Sequence, residues 1–292
     1  LFRSLFADDW KSYPDAIVDD RTNNKSFVRM AAMYRDMGVK NHAFPLALHN
    51  PRLQGIDPYD YSSLTVEIMA DILFECKSNY WYYLREIARA PGGAVDDPIV
   101  YRANRGGIAL PWLFFNHMTL FLIQPRQTGK SFSSDVLDAY LLNIGMTHGK
   151  INLLTKDDKL RSANLIRLKD IIDELPFYLN MRKKGDIANT DKLIVGNLDN
   201  SYEGHLPNKS PKAALNVGRG LTSPIFKVDE IAFLYNVGIT LPAALASTTA
   251  ARALAKRKHE PYGNVFTTTA GKKDDPDGKY AHELMAGSAL WS

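Results

Sequence analysis

One stretch limits the fold of this chain more than any other: "LFLIQPRQTGKSFSSD", Leu120 to Asp135. A short apolar run passes into a proline-containing loop, and the loop closes on Gly129, Lys130 and Ser131 as a helical pattern begins. A strand, a loop and a helix in that order aim the loop N–H groups and the positive end of the helix dipole at one anion. Gly129 lets the backbone approach a phosphate. Lys130 can reach the outer phosphates of a nucleoside triphosphate, and the Ser131 hydroxyl can ligate Mg2+. The usual loop, G-x-x-x-x-G-K-[ST], has a glycine where this chain has Gln124, followed by Pro125, Arg126, Gln127 and Thr128.

The texture from Met118 onward fits such a loop. "TLFLIQP", "GKINLLTK", "DKLIVGNL", "AALNVG", "PIFKVDEIAF" and "NVFTTTAG" read as short strands. Between them "KSFSSDVLDAYLLNIG", "DDKLRSANLIRLKDIIDELP" and "LPAALASTTAARALAKRKH" read as helices, the second closed by Pro176. Strands alternating with helices of this length predict a mostly parallel α/β sheet, with ligands at the carboxyl ends of its strands. A magnesium site there needs an acid at the end of a second strand. Asp229 in "SPIFKVDEIAF" meets that need, with Glu230 directly after it. Asp229 suits a metal-bound water, and Glu230 suits a general base acting on the attacking water. Lys227 is the awkward member of this strand: a buried charge needs either an opening to solvent or a partner.

The region before Pro111 reads as helical and irregular, which predicts a helical part over 1–110 packed on a core over 111–292. Its clearest element is "LTVEIMADILFECKSNYWYYLREIARAPGG". There Ile68, Ile72, Cys76, Tyr80, Tyr83 or Leu84, and Ile87 recur at helical spacing until Pro91, Gly92 and Gly93 stop the run. The aromatic stripe Tyr80 to Tyr83 reads as core, and Cys76 as a small buried apolar residue.

Composition narrows the function classes. The lone cysteine excludes an internal disulfide and a cysteine-based zinc site. No apolar run reaches the ~20 residues that span a bilayer, so no membrane role is expected. The balance of 36 basic against 32 acidic residues permits a nucleic-acid partner without requiring one. "MRKKG" and "AKRKHEPYG" are candidate contacts to DNA phosphates, with solvated helix ends as the simpler reading. "KKDDPDGKY" reads as a turn rather than a calcium loop, since Lys273 holds the first ligand position. The start, "LFRSLFADDW", has no initiator methionine, and we expect a piece of a longer chain.

Four elements in order, "PRQTGKS", "NVGRGLTSP", "IFKVDEIAF" and "NVFTTTAG", resemble the ATPase domain of the large terminase subunit of tailed bacteriophages, over roughly Met118 to Gly271. The resemblance implies a P-loop NTPase fold of the ASCE/RecA-like kind, with Gln124 as the family's own loop variant. It implies a DNA-stimulated ATPase that translocates double-stranded DNA into a procapsid. ATP and Mg2+ are the implied cofactors, with Gln124 to Ser131 around the phosphates, and Ser131 and Asp229 on the metal, partly through water. Glu230 becomes the base, Arg126 a γ-phosphate sensor, and Arg219 an arginine finger for a neighbouring subunit. Thr267, Thr268, Thr269 and Gly271 match a coupling motif, with Ala270 where proline is common. Arg102 and Arg105 are candidates for the adenine contact. Implied partners are a portal protein, the small terminase subunit and further copies in a ring, in the host cytoplasm and transiently at the portal vertex. The family's nuclease domain has no counterpart before Ser292, so nuclease activity is not expected of this chain. A helicase-type P-loop ATPase, or an assembly module that binds nucleotide without turnover, are the alternative readings.

Overall fold

The apolar runs from Met118 onward assemble into one sheet. The structure, a computed structural model, describes residues 16–90, 92 and 98–289. The start of the chain and two of the three expected stop residues, Pro91 and Gly93, lie outside the described residues.

In the first part, β1 (Ile17–Val18) pairs antiparallel with β2 (Ala47–Leu48) around helix α1 (Lys25–Asp36). Helix α2 (Val66–Ser78) starts at Thr65, whose hydroxyl caps the N–H of Ile68. The expected long helix breaks at Asn79. Its side-chain oxygen accepts from the N–H groups of Trp81 and Tyr82 and starts a new turn, Tyr80–Tyr82, which runs into a π-helical turn, Tyr83–Ile87. Asn offers the backbone this local alternative to helix continuation. Tyr80 to Tyr83 are all buried, and Cys76 is fully buried, as their apolar spacing predicts. Two short strands, β3 (Arg89–Ala90) and β4 (Ile99–Val100), precede helix α3 (Arg105–Phe115).

Strand β5 (Leu120–Ile123) leads through the phosphate loop into α4 (Lys130–Tyr140), which ends in a π-helical turn. Then follow β6 (Lys150–Thr155), α5 (Asp158–Asp173), β7 (Lys192–Val195), β8 (Asn200–His205), α6 (Pro211–Gly220) and β9 (Ile225–Asp229). The chain continues with α7 (Val237–Arg257), β10 (Gly263–Thr268) and α8 (Pro276–Ala286). The six strands lie in the order β5-β10-β9-β6-β8-β7, and only β7 runs antiparallel to its neighbour. The mostly parallel α/β class is as expected, but three elements differ from the sequence reading, one of them β8, for which no strand was expected. "AALNVG" is helix, not strand: Pro211 at the first helical position and the two alanines after it favour α6. "KKDDPDGKY" is a turn only as far as Asp275, and Pro276 opens α8.

Alternation along β9 divides the core. Phe226 and Val228 pack in an apolar cluster with Leu154, Phe266 and residues of α7, while Ile225 joins the larger cluster on the other face. Lys227 and Asp229 share the face of Ile225 and look toward α4 and α5. The larger cluster runs from Phe27 through Trp81 and Leu137 to Val265. The expected boundary at 110/111 falls inside α3, and one continuous core lies on both sides of it.

Candidate functional site

The phosphate loop is held at both ends. The Gln124 N–H donates to Thr268 O on β10 (3.2 Å), and the Thr128 hydroxyl donates to Pro125 O (2.9 Å) and Gln124 Oε1 (3.3 Å). The Gln124 amide lies against Gly106 in the first turn of α3, where a Cβ would collide with it. Two loop residues have left-handed backbone, Gln127 (φ 63°) and Gly129 (φ 81°). A non-glycine residue with such a φ is strained, and strain of this kind gathers at binding sites. Gly129 precedes the first turn of α4, whose N–H groups have no intrahelical acceptors and face the loop.

Across the loop stands the acid pair. Lys130 is buried, with Nζ 3.2 Å from Glu230 Oε1 and 3.8 Å from Asp229 Oδ1. The hydroxyls of β10 complete the arrangement. Thr267 Oγ1 donates to Asp229 Oδ1 (2.7 Å), and Glu230 Oε2 accepts from the N–H and hydroxyl of Thr269, each at 3.1 Å. Thr268 Oγ1 lies 3.5 Å from Glu230 Oε2 and accepts from Ala232 N–H at 3.4 Å. Gly271 abuts Ala232, where a Cβ would come within 2.7 Å of another. Glu230 itself is left-handed (φ 57°), so the acid pair sits on a strained turn at the strand end. Burial alone would raise the Glu230 carboxyl. The Thr269 N–H and the Lys130 ammonium outweigh it and hold the group below the ordinary glutamate range. Glu230 is therefore ionised at neutral pH.

The loop from Pro125 to Phe132, with Glu230 and Thr269, lines a cleft of about 410 Å3. That volume lies within the roughly 300–1,000 Å3 of small-molecule sites. Ser131 and Asp229 would offer only oxygen donors, the kind that suits a hard cation such as Mg2+. Arg126 is exposed in the loop and lines the cleft. Arg219 does not reach it. That side chain is exposed in the last turn of α6, which runs away from the carboxyl edge of the sheet. Arg102 and Arg105 flank the start of α3 and do not border the cleft.

Four further residues belong to the site's surroundings. Lys156, just after β6, and Phe233 line the cleft, with the ammonium 5.9 Å from the ring centroid. Asn164 Nδ2 donates to Asp229 Oδ2 (3.2 Å), and Arg167 Nη2 donates to Asn164 Oδ1 (2.7 Å). A cation directly after a strand that ends at the phosphate edge was a readable signal for Lys156. Asn164 and Arg167 carried none, because a polar pair on an amphipathic helix reads as its solvent face.

The chain is an α/β fold on one six-stranded, mostly parallel sheet, in which a strand–loop–helix turn faces a strand-end acid pair. No family model matches the chain, and no curated protein sequence matches it either. Among solved structures, the chain is similar to the HK97 bacteriophage large terminase at 12% identity and a TM-score of 0.47. That match covers 66% of this chain and 38% of the other, so the chain spans well under half of that terminase. It is also similar to the large terminase ATPase domain of Thermus phage P74-26, at 12% identity and a TM-score of 0.41, covering 63% of this chain and 69% of that one. A mutant of the same ATPase domain gives 11% identity and a TM-score of 0.40, covering 62% and 70%.

Proposed function

We propose that the cleft binds ATP with Mg2+ and hydrolyses it, and that the chain is the ATPase motor domain of a viral terminase that drives double-stranded DNA into a procapsid. The observation that carries the hydrolytic part is the convergence of Lys130, Asp229 and Glu230 at the mouth of the phosphate loop. The motor part rests on the four-element resemblance and on the hydroxyls that tie β10 to both acids.

Lys130 bridges two carboxylates, and a triphosphate offers it a stronger set of acceptors, so Lys130 moves from Glu230 to the phosphates. Glu230 keeps Oε2 on Thr269, and Oε1, the oxygen that Lys130 releases, turns free toward the cleft. Oε1 then accepts a proton from the attacking water. Ser131 and Asp229 would hold Mg2+, which when bound would neutralise charge on the phosphate oxygens. The exposed Arg126 guanidinium adds donors toward the outer phosphate. Loss of that phosphate changes the charge that Glu230 faces, and Thr268 and Thr269 pass the change to β10.

The test is ATP turnover by the wild type and by Glu230→Gln, with and without duplex DNA. The expected result is DNA-stimulated turnover in the wild type, and unchanged ATP affinity with turnover down at least a hundredfold, about 10²–10⁴ for a lost general base, in the variant. Equal turnover in the two proteins would refute the assignment of the base.

A further inference from the structure

The Asp229 carboxylate is oriented from two sides. Thr267 Oγ1 donates to Oδ1 from β10, and Asn164 Nδ2 donates to Oδ2 from α5. Asn164 is itself almost fully buried, and its amide has one permitted orientation. Arg167 has only donors to offer, so it must meet Oδ1, which leaves the Nδ2 amide group facing Asp229 Oδ2. Arg167 is anchored in turn by its Nε on Asp135 Oδ2 of α4, a buried carboxyl group. The i, i+3 spacing puts Asn164 and Arg167 on one face of α5, so a single helix face carries the whole relay.

We propose that Asn164 is a positioning residue for the metal site: with Arg167 fixing its amide, it sets which lone pairs Asp229 turns toward the metal-bound water. The inference rests on the reading of the cleft as a Mg2+–nucleotide site. Outer-shell donors of this kind change metal affinity by about 10–100-fold when removed. Neither residue touches the nucleotide loop, so the affinity for nucleotide without metal is independent of them.

The experiment titrates Mg2+ against the full chain bound to a fluorescent non-hydrolysable ATP analogue, alongside analogue affinity in EDTA. For Asn164→Ala and the near-isosteric Asn164→Leu, the EDTA affinity stays at the wild-type value while the Mg2+ midpoint rises about tenfold or more. Arg167→Gln gives a smaller rise, and adding it to Asn164→Leu gives none. A folded Asn164→Leu with the wild-type Mg2+ midpoint would overturn the proposal, even if its melting temperature fell. So would an Arg167→Gln effect that persists in the Asn164→Leu background. A wild type whose analogue affinity ignores Mg2+ would instead overturn the reading of the cleft, and the role of Asn164 with it.

Discussion

Lys227 is the residue whose sequence position and physical chemistry disagreed, and its partner is Asp138 on α4. Nζ lies 2.7 Å from Asp138 Oδ1 and 3.0 Å from Ser134 O, with both side chains almost fully buried. The need for a partner was legible; its identity was not, because 89 residues separate the two and no local pattern joins them. Removing one partner of a buried pair leaves the other charge stranded. We expect Lys227→Met to cost about 3–5 kcal/mol in denaturant unfolding, and Lys227→Met with Asp138→Leu to recover most of it. Asp135, one turn earlier, has its carboxyl pushed up to about 7 by burial, against the pull of Arg167. The folded state thus holds a proton that the unfolded chain gives up near its ordinary value of 3.8. The sign follows: this group's contribution to stability is present at acid pH and declines as pH rises from about 4 to about 7. Asp135→Asn removes that term. Its melting temperature should gain on the wild type across the same window, and a constant difference at every pH would exclude the raised carboxyl.

Among the elements, α6 shows how far pattern reading reaches. Its stretch Ala213 to Val217, four apolar residues out of five, passed for a strand because Ala, Leu and Val fit both periods, and Pro211 was the cue that should have decided. The strand actually in that part of the sheet, β8, was missed for the opposite reason. Its inward positions are Asn200, Tyr202 and Gly204, so the alternation exists in burial but not in hydrophobicity. Strands with aliphatic inward residues, β5, β6, β9 and β10, were all legible, and with them the loop and acid pair. Helix α6 packs on α7 through Gly218, where a Cβ would lie 2.5 Å from Thr240 O and 2.7 Å from Ala243 Cβ. Backbone cannot yield as a flexible side chain can. Gly218→Ala should destabilise by about 1–3 kcal/mol through forced separation of the two helices, with ATP affinity unchanged. An unshifted unfolding midpoint would show that the contact is looser than described.

At the scale of the whole molecule, one apolar core joins the N-terminal helices to the sheet, so the phosphate loop rests on both. Gln124 against Gly106 is the local sign of that union. Arg219 points the other way: it lies outside its own cleft, and a role in hydrolysis requires a second copy. On the proposal that Arg219 acts as a finger for a neighbouring subunit, Arg219→Ala should hydrolyse ATP like the wild type at dilution and lose turnover only where subunits associate, with partial rescue on mixing with Glu230→Gln. Failure of every mixture would count against action between subunits. Among the described residues no helix is long and apolar enough to cross a membrane. All of this depends on what Lys130 does when a nucleotide arrives. The most direct measurement is a crystal structure with Mg2+ and a non-hydrolysable ATP analogue. The expected result has phosphates on the N–H groups of the loop, Lys130 Nζ drawn from Glu230 onto them, and Asp229 facing the metal. Nucleotide bound elsewhere, or Lys130 still paired with Glu230 beside it, would contradict the account.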